Sequence, residues 1–183
     1  VHVAWLGDSR VLVATVVGED SRIDLMGRPH IPAEPGERQR LEKSGAELRS
    51  AAPPGGAAAQ LRVFVAGEEV PGLSVSRALG DYVASSLGVT ALPDMAKTSF
   101  ASTPGLVLLG SGGLFEVLGE GNDVLGTLLN RGRLLQLGPQ RALGSLCDRA
   151  EEAGEDVTGL LLYWPQQEQQ PPSLGRATEA HRF

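Results

Sequence analysis

The pattern of hydrophobic and polar positions predicts strands and helices that alternate along the chain. Four apolar residues at 106–109 run into Gly-Ser-Gly-Gly, and a second apolar pattern begins directly afterwards. This predicts a buried strand that ends at a tight turn beside a short helix. A catalytic or metal-binding group commonly follows the carboxyl end of a buried strand in α/β proteins. Here the turn offers only a hydroxyl group and glycines.

Strand-like runs dominate the first half of the chain. Residues 2–6 and 11–17 are rich in β-forming residues and flank Gly-Asp-Ser-Arg at 7–10. Two such runs around a Gly-Asp-Ser turn predict a β-hairpin. Residues 61–66 alternate like a strand and lead into a Gly-Glu-Glu turn, and residues 71–81 predict a loop with a short helical turn.

Two segments have the pattern of helices. Residues 35–44 combine helix formers with charges at helical spacing, and Gly45 stands where a C-terminal cap belongs. The segment 138–154 has Pro in its first turn and Gly past its end, and residues 156–164 predict a strand after it. One face of this second helix is apolar: Leu143, Leu146, Cys147 and Ala150.

Length and composition are those of one globular domain. The chain has 183 residues, of which 42% are hydrophobic and 21% charged. It starts in a strand-like run without Met, so we expect it to derive from a longer protein and the fold to be incomplete at the N-terminus. The predicted domain covers residues 1–165, with a low-complexity loop at 51–59. Residues 166–183 are rich in Gln, Pro and Ser and predict a disordered tail.

Charge and cysteine content exclude several functions. A net charge of -6 with 16 Lys and Arg residues offers no basic surface for nucleic acid. Apolar runs such as 160–164 are far below the ~20 residues that span a bilayer, and the first residues lack the basic-then-apolar pattern of a signal peptide. The single cysteine precludes an internal disulfide and fits a reducing compartment. We expect an intracellular protein, cytoplasmic or nuclear, without nucleic-acid or membrane partners.

Six segments in a fixed order resemble the C-terminal part of the protein phosphatase 2C domain, the PPM-type metal-dependent family. The resemblance extends over roughly residues 1–165, and the order of six short motifs makes it specific. The segments are GDSR at 7–10, PGERQRLEKSGAEL at 35–48, RVFVAGEEVPGLSVSRALGD at 62–81, GVTALPD at 88–94, LLGSGGLFEVL at 108–118 and EDVTGLLLY at 155–163.

The resemblance implies an α+β fold and a hydrolytic reaction. The expected architecture is two packed antiparallel β-sheets flanked by helices, the αββα sandwich of the phosphatase 2C family. The implied chemistry uses two divalent cations, Mn²⁺ or Mg²⁺, to activate a water molecule against phosphoserine or phosphothreonine in proteins. Such hard cations prefer carboxylate oxygens and need several of them in one cleft. Carboxylates are therefore the diagnostic residues.

The metal ligands of the family are degenerate here. The family strand ends in Ser-Asp-Gly, and Gly112 occupies the ligand position of that Asp. A second ligand position falls on Glu155, which is one methylene longer, while Asp156 would substitute only with a shift in register. Asp8 matches a carboxylate that serves an additional metal. An Asp-Gly-His motif with a further ligand would lie upstream of Val1.

Other family positions differ in how well they match. The family's Asp-His-Lys falls on residues 29–31, where its charges are lost, and the acidic position of Leu-Trp-Asp-Val falls on Glu116. The SRALGD segment at 76–81 matches fully. Its family-motif residues are Ser76, Arg77, Gly80 and Asp81. The scaffold motifs therefore match better than the metal site.

Each candidate residue also has a structural interpretation. Asp8 is favoured as a turn residue that bonds the local backbone. Glu155 and Asp156 have two equally favoured interpretations. They are either solvated residues at the start of a strand or metal ligands. For Asp81 a helix-terminal or loop hydrogen bond is favoured. Cys147 on an apolar helix face is favoured as a small core residue over a nucleophile.

Two functions from different classes follow. The first is a pseudophosphatase, a protein-binding module that keeps the fold and engages a phosphoprotein or scaffold protein without turnover. The second is a divergent protein Ser/Thr phosphatase that is active when a full-length N-terminal half is present. The first is favoured for this chain because a two-metal reaction depends on its complete ligand set.

Overall fold

A computed structural model describes residues 1–17, 20–52, 59–98, 105–119, 121–131, 134–154 and 156–164. The strands are β1 His2–Trp5, β2 Arg10–Val17, β3 Asp20–Met26, β4 Glu47–Ala51, β5 Gln60–Phe64, β6 Pro71–Leu73, β7 Asp94–Lys97, β8 Gly105–Gly110 and β9 Gly159–Trp164. The helices are α1 Pro35–Lys43, α2 Tyr82–Ser86, α3 Gly112–Leu118, α4 Gly121–Gly126, α5 Leu134–Leu137 and α6 Pro139–Glu152, with a π-helical stretch at Thr127–Arg131.

A four-stranded antiparallel sheet forms the centre of the molecule. Its strand order is β3-β2-β8-β9. One face carries fully buried leucines of β2 and β8, which pack against α3, α6 and the helical segments between them. Burial of such side chains stabilises the fold by roughly 1.5–3 kcal/mol each. The residues at the centre of this core are Leu12, Leu106, Leu108, Leu114, Phe115 and Leu146.

Part of the other face of the sheet is covered by a second, smaller sheet. β1 pairs with β7 in antiparallel register. Val3 and Trp5 of β1 pack against Val11, Val13 and Val107 of the central sheet. The predicted α+β class with packed antiparallel sheets flanked by helices is therefore confirmed.

A third sheet, in the order β4-β5-β6, has its own apolar cluster with α1 and α2. Leu41 of α1, Val63 of β5 and Ala84 of α2 are fully buried in this cluster. The start of β5, the middle strand of this sheet, borders the cleft that carries the candidate site.

The predicted hairpin around Gly7 to Arg10 is wrong. β1 and β2 are not paired with each other; β1 pairs with β7, and β2 lies between β3 and β8. The turn instead carries the chain from one sheet to the other, with Gly7 at a φ of 76°. Local composition favours a turn at this position, whereas the pairing partner depends on distant strands.

Other predicted elements are confirmed with shifted bounds. β8 ends at Gly110 and α3 starts at Gly112, as the apolar pattern around the Gly-Ser-Gly-Gly turn predicts. The helices predicted at 35–44 and 138–154 are α1 and α6, and the strand predicted at 61–66 is β5.

Two predicted bounds are wrong. Residues 71–73 form strand β6 instead of a loop. β9 starts at Gly159 instead of at residue 156, because Thr158 bonds backbone and hydroxyl groups of Ser111 ahead of the strand ladder. Residues 53–58 of the predicted loop and residues 165–183, which include the predicted tail, lie outside the described residues, and the predicted domain bounds stay a prediction. No helix in the described part is long and apolar enough to cross a membrane.

Candidate functional site

A cleft of about 360 Å³ opens between the turn after β1, the start of α3 and the start of β5. Its walls combine a few polar groups with apolar side chains, the usual character of a ligand site. The polar side chains that line it are Asp8, Arg10, Gln60, Ser74 and Glu116. Gly112 lies on the same wall as Glu116.

Gly112 and Asp8 meet at the centre of this cleft. Gly112 is buried at the first position of α3. A Cβ atom built on Gly112 would stand 2.4 Å from Oδ2 and 2.7 Å from Cγ of Asp8. Real Cβ atoms do not approach other atoms that closely, so the carboxylate of Asp8 occupies the space that a side chain at position 112 would need.

Two further polar groups shape the mouth of the cleft. Glu116 lies one helical turn after Gly112, and its Oε1 accepts a hydrogen bond of 3.2 Å from Nε2 of Gln60. The guanidinium carbon of Arg10 lies 5.5 Å from the centre of the Phe115 ring, within cation–π range. Arg10 is the only cationic side chain among the described residues that line this cleft.

The segment before β9 reaches the same turn. The backbone N–H of Ser111 donates to the carbonyl oxygen of Thr158 at 3.0 Å. In return, the N–H of Thr158 donates to Oγ of Ser111 at 3.1 Å. Asp156 is exposed two residues before Thr158 and does not line the cleft. Glu155 lies outside the described residues.

The described residues do not fit a two-metal centre. No group of three or more His, Cys, Asp or Glu side chains within them is placed to hold a metal ion. Asp8 and Glu116 are the carboxylates of the cleft, and Gly112 contributes no donor atom. A catalytic pair of cations requires several oxygen ligands per ion, and two carboxylates are too few to supply them.

The first two SRALGD residues, Ser76 and Arg77, lie in an ionic network outside the cleft lining. Ser76 is fully buried, and its Oγ donates to Oε2 of Glu37 at 2.5 Å. Arg77 donates to Oε1 of Glu37 at 2.6 Å and to Oδ1 of Asp94 at 2.8 Å. Arg40 donates to the same Glu37 carboxylate at 2.7 Å. The network ties α1 to β7 and to the segment between β6 and α2.

The hydrogen bonds and ion pairs of this network lower the pKa values of its two carboxyl groups, Glu37 and Asp94. Burial by itself raises the pKa of Glu37, but hydrogen bonds from Arg40, Arg77 and Ser76 outweigh burial and hold this pKa far below its ordinary value. Burial likewise raises the pKa of Asp94, whereas His30 and Arg77 hold it below the usual range. Nε2 of the buried His30 lies 3.2 Å from Oδ2 of Asp94.

Gly80 and Asp81 start helix α2. Gly80 has a φ of 80° and Asp81 a φ of 51°, both in the left-handed region, which Gly and Asp tolerate better than other residues. Oδ1 of Asp81 accepts a hydrogen bond of 3.0 Å from the N–H of Ala84. The helix-terminal hydrogen bond expected for Asp81 is therefore present.

The sandwich of antiparallel sheets, with an acidic turn facing the end of a central strand, is the architecture of a metal-dependent protein phosphatase. The family model for protein phosphatase 2C matches residues 1–154. The chain therefore belongs to the protein phosphatase 2C family, whose members depend on metal ions.

Two plant proteins and one solved structure illustrate the relationship. Probable protein phosphatase 2C 61 of Arabidopsis thaliana is 35% identical over 120 residues, which are 64% of this chain and 36% of that protein. Probable protein phosphatase 2C 72 of the same plant is 26% identical over 181 residues, covering 91% of this chain and 51% of its own length.

The crystal structure of serine-threonine phosphatase 2C from Toxoplasma gondii matches 88% of this chain and 54% of its own chain, with a TM-score of 0.69. At 16% sequence identity, this match supports the fold alone. The chain spans about a third to a half of the length of these proteins.

Sequence reasoning missed several residues that the fold brings together. Glu37 is the acceptor at the centre of the ionic network, with Asp94 and His30 beside it. Gln60 and Ser74 reach the cleft from the third sheet. Glu37 looks like an ordinary first-turn acid in a charged helix, so no local signal distinguishes it from an exposed residue.

Proposed function

We propose that this chain is a phosphatase 2C-like protein that engages a phosphoprotein or scaffold protein and lacks the family's turnover, a pseudophosphatase. The observation that supports this is the contact at Gly112. The position that the resemblance assigns to a metal-binding Asp has no side chain, and the Asp8 carboxylate fills its place. Because the chain spans only part of its relatives, the proposal concerns this chain and not the longer proteins.

The chemistry of the cleft favours binding over turnover. Phosphate-ester hydrolysis needs an activated water molecule and neutralisation of the charge that develops in the transition state. Among the described lining residues, Arg10 is the single cation and faces two acids, Asp8 and Glu116. Arg10 can attract a phosphate group, but the two acids cannot neutralise it. Intracellular location and the absence of nucleic-acid and membrane partners belong to the same proposal, on the basis of composition.

A second function is a divergent protein Ser/Thr phosphatase that is active in a full-length context with Mn²⁺ or Mg²⁺. It is favoured by the hydrogen bonds between Ser111 and Thr158, which bring the segment with Asp156 next to the turn at Gly112. In that protein Asp8, Glu155 and Asp156 would be the candidate ligands.

The decisive measurement is Mn²⁺-dependent phosphate release from a phosphothreonine peptide. We expect the rate of this chain to equal that of a chelator control, because the described residues lack a metal centre. An intact phosphatase of the family serves as the positive control. Chelator-sensitive release by this chain that is lost in Asp8→Asn would overturn the pseudophosphatase proposal and support the second function.

Binding of phosphate in the cleft is expected to depend on Arg10. We expect Arg10→Ala to abolish the preference for a phosphothreonine peptide over its unphosphorylated form, measured by fluorescence anisotropy. Arg38→Ala is the matched control, because Arg38 is an exposed arginine on α1 that pairs with Glu42. Equal affinity of the parent chain for the two peptides would show that the cleft does not bind the phosphate group selectively.

A further inference from the structure

A second cavity adjoins the cleft near the end of β3. It has a volume of about 310 Å³ and opens between the start of β2, the end of β3 and the segment that leads to α1. Arg10, Pro29 and Ile31 line both the cleft and this cavity. Because the two share a wall, a ligand in the cleft can extend into the second cavity along the protein surface.

Two arginines, Arg10 and Arg28, line this cavity, which we name the arginine pocket. Arg28 is exposed and Arg10 is half-buried. Neither guanidinium group forms an ion pair or donates a hydrogen bond to another described residue. Each of the other arginines up to residue 98 donates to a carboxylate or a carbonyl oxygen: Arg22, Arg38, Arg40, Arg49, Arg62 and Arg77. The arginine pocket therefore collects the two arginines of this part of the chain whose charge has no protein partner among the described residues.

The backbone around Arg28 is fixed by hydrogen bonds to neighbouring segments. The carbonyl oxygen of Arg28 accepts a hydrogen bond of 2.9 Å from Nε1 of Trp5. The N–H of Gly27 donates to the carbonyl oxygen of Val11 at 2.8 Å. Arg28 is thereby held beside the cleft, and a binding residue on a fixed backbone loses less conformational freedom when it binds a ligand.

The charge of the arginine pocket favours an anion. Glu34 is its one acid among the described lining residues, and the Glu34 side chain makes no capping hydrogen bond to α1. Two cations therefore face one carboxylate, although the whole chain has a net charge of -6. A local excess of positive charge attracts anions, and the guanidinium group matches the geometry of phosphate and carboxylate.

We propose that the arginine pocket is a second anion subsite for the phosphopeptide that occupies the cleft. It binds an acidic or phosphorylated side chain two residues from the phosphothreonine, because such residues of an extended peptide point to the same side and lie roughly 7 Å apart. The proposal rests on the proposed function, in which the cleft engages a phosphoprotein. It defines the class of partner as a protein with a phosphothreonine close to a second anionic side chain.

Fluorescence anisotropy with matched peptides tests the proposal. The reference peptide has a phosphothreonine between neutral residues, and the others have Asp or phosphoserine two residues before or two residues after it. At an ionic strength of about 0.15 M, which screens distant charges, we expect the second anion on one side to tighten binding. The expected gain is about fivefold, since water weakens an ion pair with an exposed arginine. Phosphoserine should give a larger gain than Asp, because it carries about -1.5 to -2 charges at pH 7.

Substitutions assign this gain to the arginine pocket. Arg28→Ala is expected to abolish it, and Glu34→Gln is expected to enlarge it, because this change removes the acid that repels the second anion. Arg22→Ala is the matched control, since Arg22 is an exposed arginine of β3 that pairs with Asp24. We expect this control to retain the gain, and circular dichroism of each variant checks that the fold is retained.

The same peptides with threonine in place of phosphothreonine separate this proposal from the proposed function. Three results would overturn the arginine pocket: no gain from the second anion, a gain that persists in Arg28→Ala, or an equal gain from an Asp at the far end of the peptide. Equal affinity for the threonine and phosphothreonine peptides, with an Arg28-dependent gain in both, would contradict phosphate binding in the cleft and support the arginine pocket.

Discussion

Replacing Glu37 with alanine is expected to lower the free energy of unfolding by about 3 kcal/mol, because breaking a buried ion pair leaves its partner charge uncompensated. The side chain of Glu37 is 9% exposed, and that of its partner Arg77 is 16% exposed. Arg40 and Ser76 also donate to this carboxylate. Urea denaturation of the parent and the variant measures the difference.

The control for this prediction lies one turn further along the same helix. Glu42 pairs with Arg38 at 2.7 Å, but both side chains are at least half exposed. Exposed pairs at this spacing contribute about 0.3–0.5 kcal/mol. Glu42→Ala is therefore expected to lower the free energy of unfolding only slightly. Equal decreases in Glu37→Ala and Glu42→Ala would contradict the role of Glu37 as the main acceptor of the ionic network.

The hydrogen bonds from Arg40, Arg77 and Ser76 to Glu37 also predict that the stability of the chain depends on pH. The pKa of Glu37 is lowered in the folded state from its ordinary value of 4.5, so the unfolded chain binds the proton more readily. The contribution of Glu37 is present in full above this ordinary value and is lost as the pH falls below it. The stability difference between the parent and Glu37→Gln should accordingly shrink on acidification from pH ~5. A difference that stays constant would contradict the lowered pKa.

Gly112→Asp is expected to destabilise the chain by about 1 kcal/mol in the presence of a chelator, the usual cost of a side chain forced off its rotamer. A Cβ at this position would lie 2.4 Å from Oδ2 of Asp8, so the half-buried Asp8 side chain must rotate away from it. A second carboxylate at this point adds like-charge repulsion. Thermal and urea denaturation measure the loss.

The cause of that loss can be isolated with two further variants. Asp8→Ala combined with Gly112→Asp should recover most of the stability, because the clash is between these two side chains. Gly144→Asp is the control, since a Cβ on this α6 glycine meets no atom within 4 Å. A similar loss in Gly144→Asp would mean that the contact with Asp8 is not responsible.

Calorimetric titration with Mn²⁺ extends the test of position 112. We expect Gly112→Asp to raise Mn²⁺ affinity only if the other ligands are in place, because one added carboxylate does not complete a centre. Equal and measurable affinity in the parent and the variant would show that position 112 does not limit metal binding.

The candidate site was only partly predictable from the residues. The degenerate ligand position at Gly112 could be assigned from a short local motif. The contact between the Asp8 carboxylate and Gly112 could not be predicted from a local motif, because the two residues belong to turns far apart in the chain. Glu37 was missed for the same reason: its partners Ser76 and Arg77 lie about 40 residues away.

By itself the sequence determined the helices α1 and α6, the strand β5, the strand-turn-helix at 105–118 and the resemblance to the phosphatase 2C family. These features depend on hydrophobic periodicity, helix caps and motifs within a few residues of each other, because local sterics and backbone hydrogen bonds determine the conformation of such short segments. Only the tertiary structure decided that β1 pairs with β7 and not with β2, and that Leu109, Leu160 and Leu162 stay exposed among the described residues. Strand pairing depends on which distant apolar faces are buried together, and a local pattern contains no information about that choice.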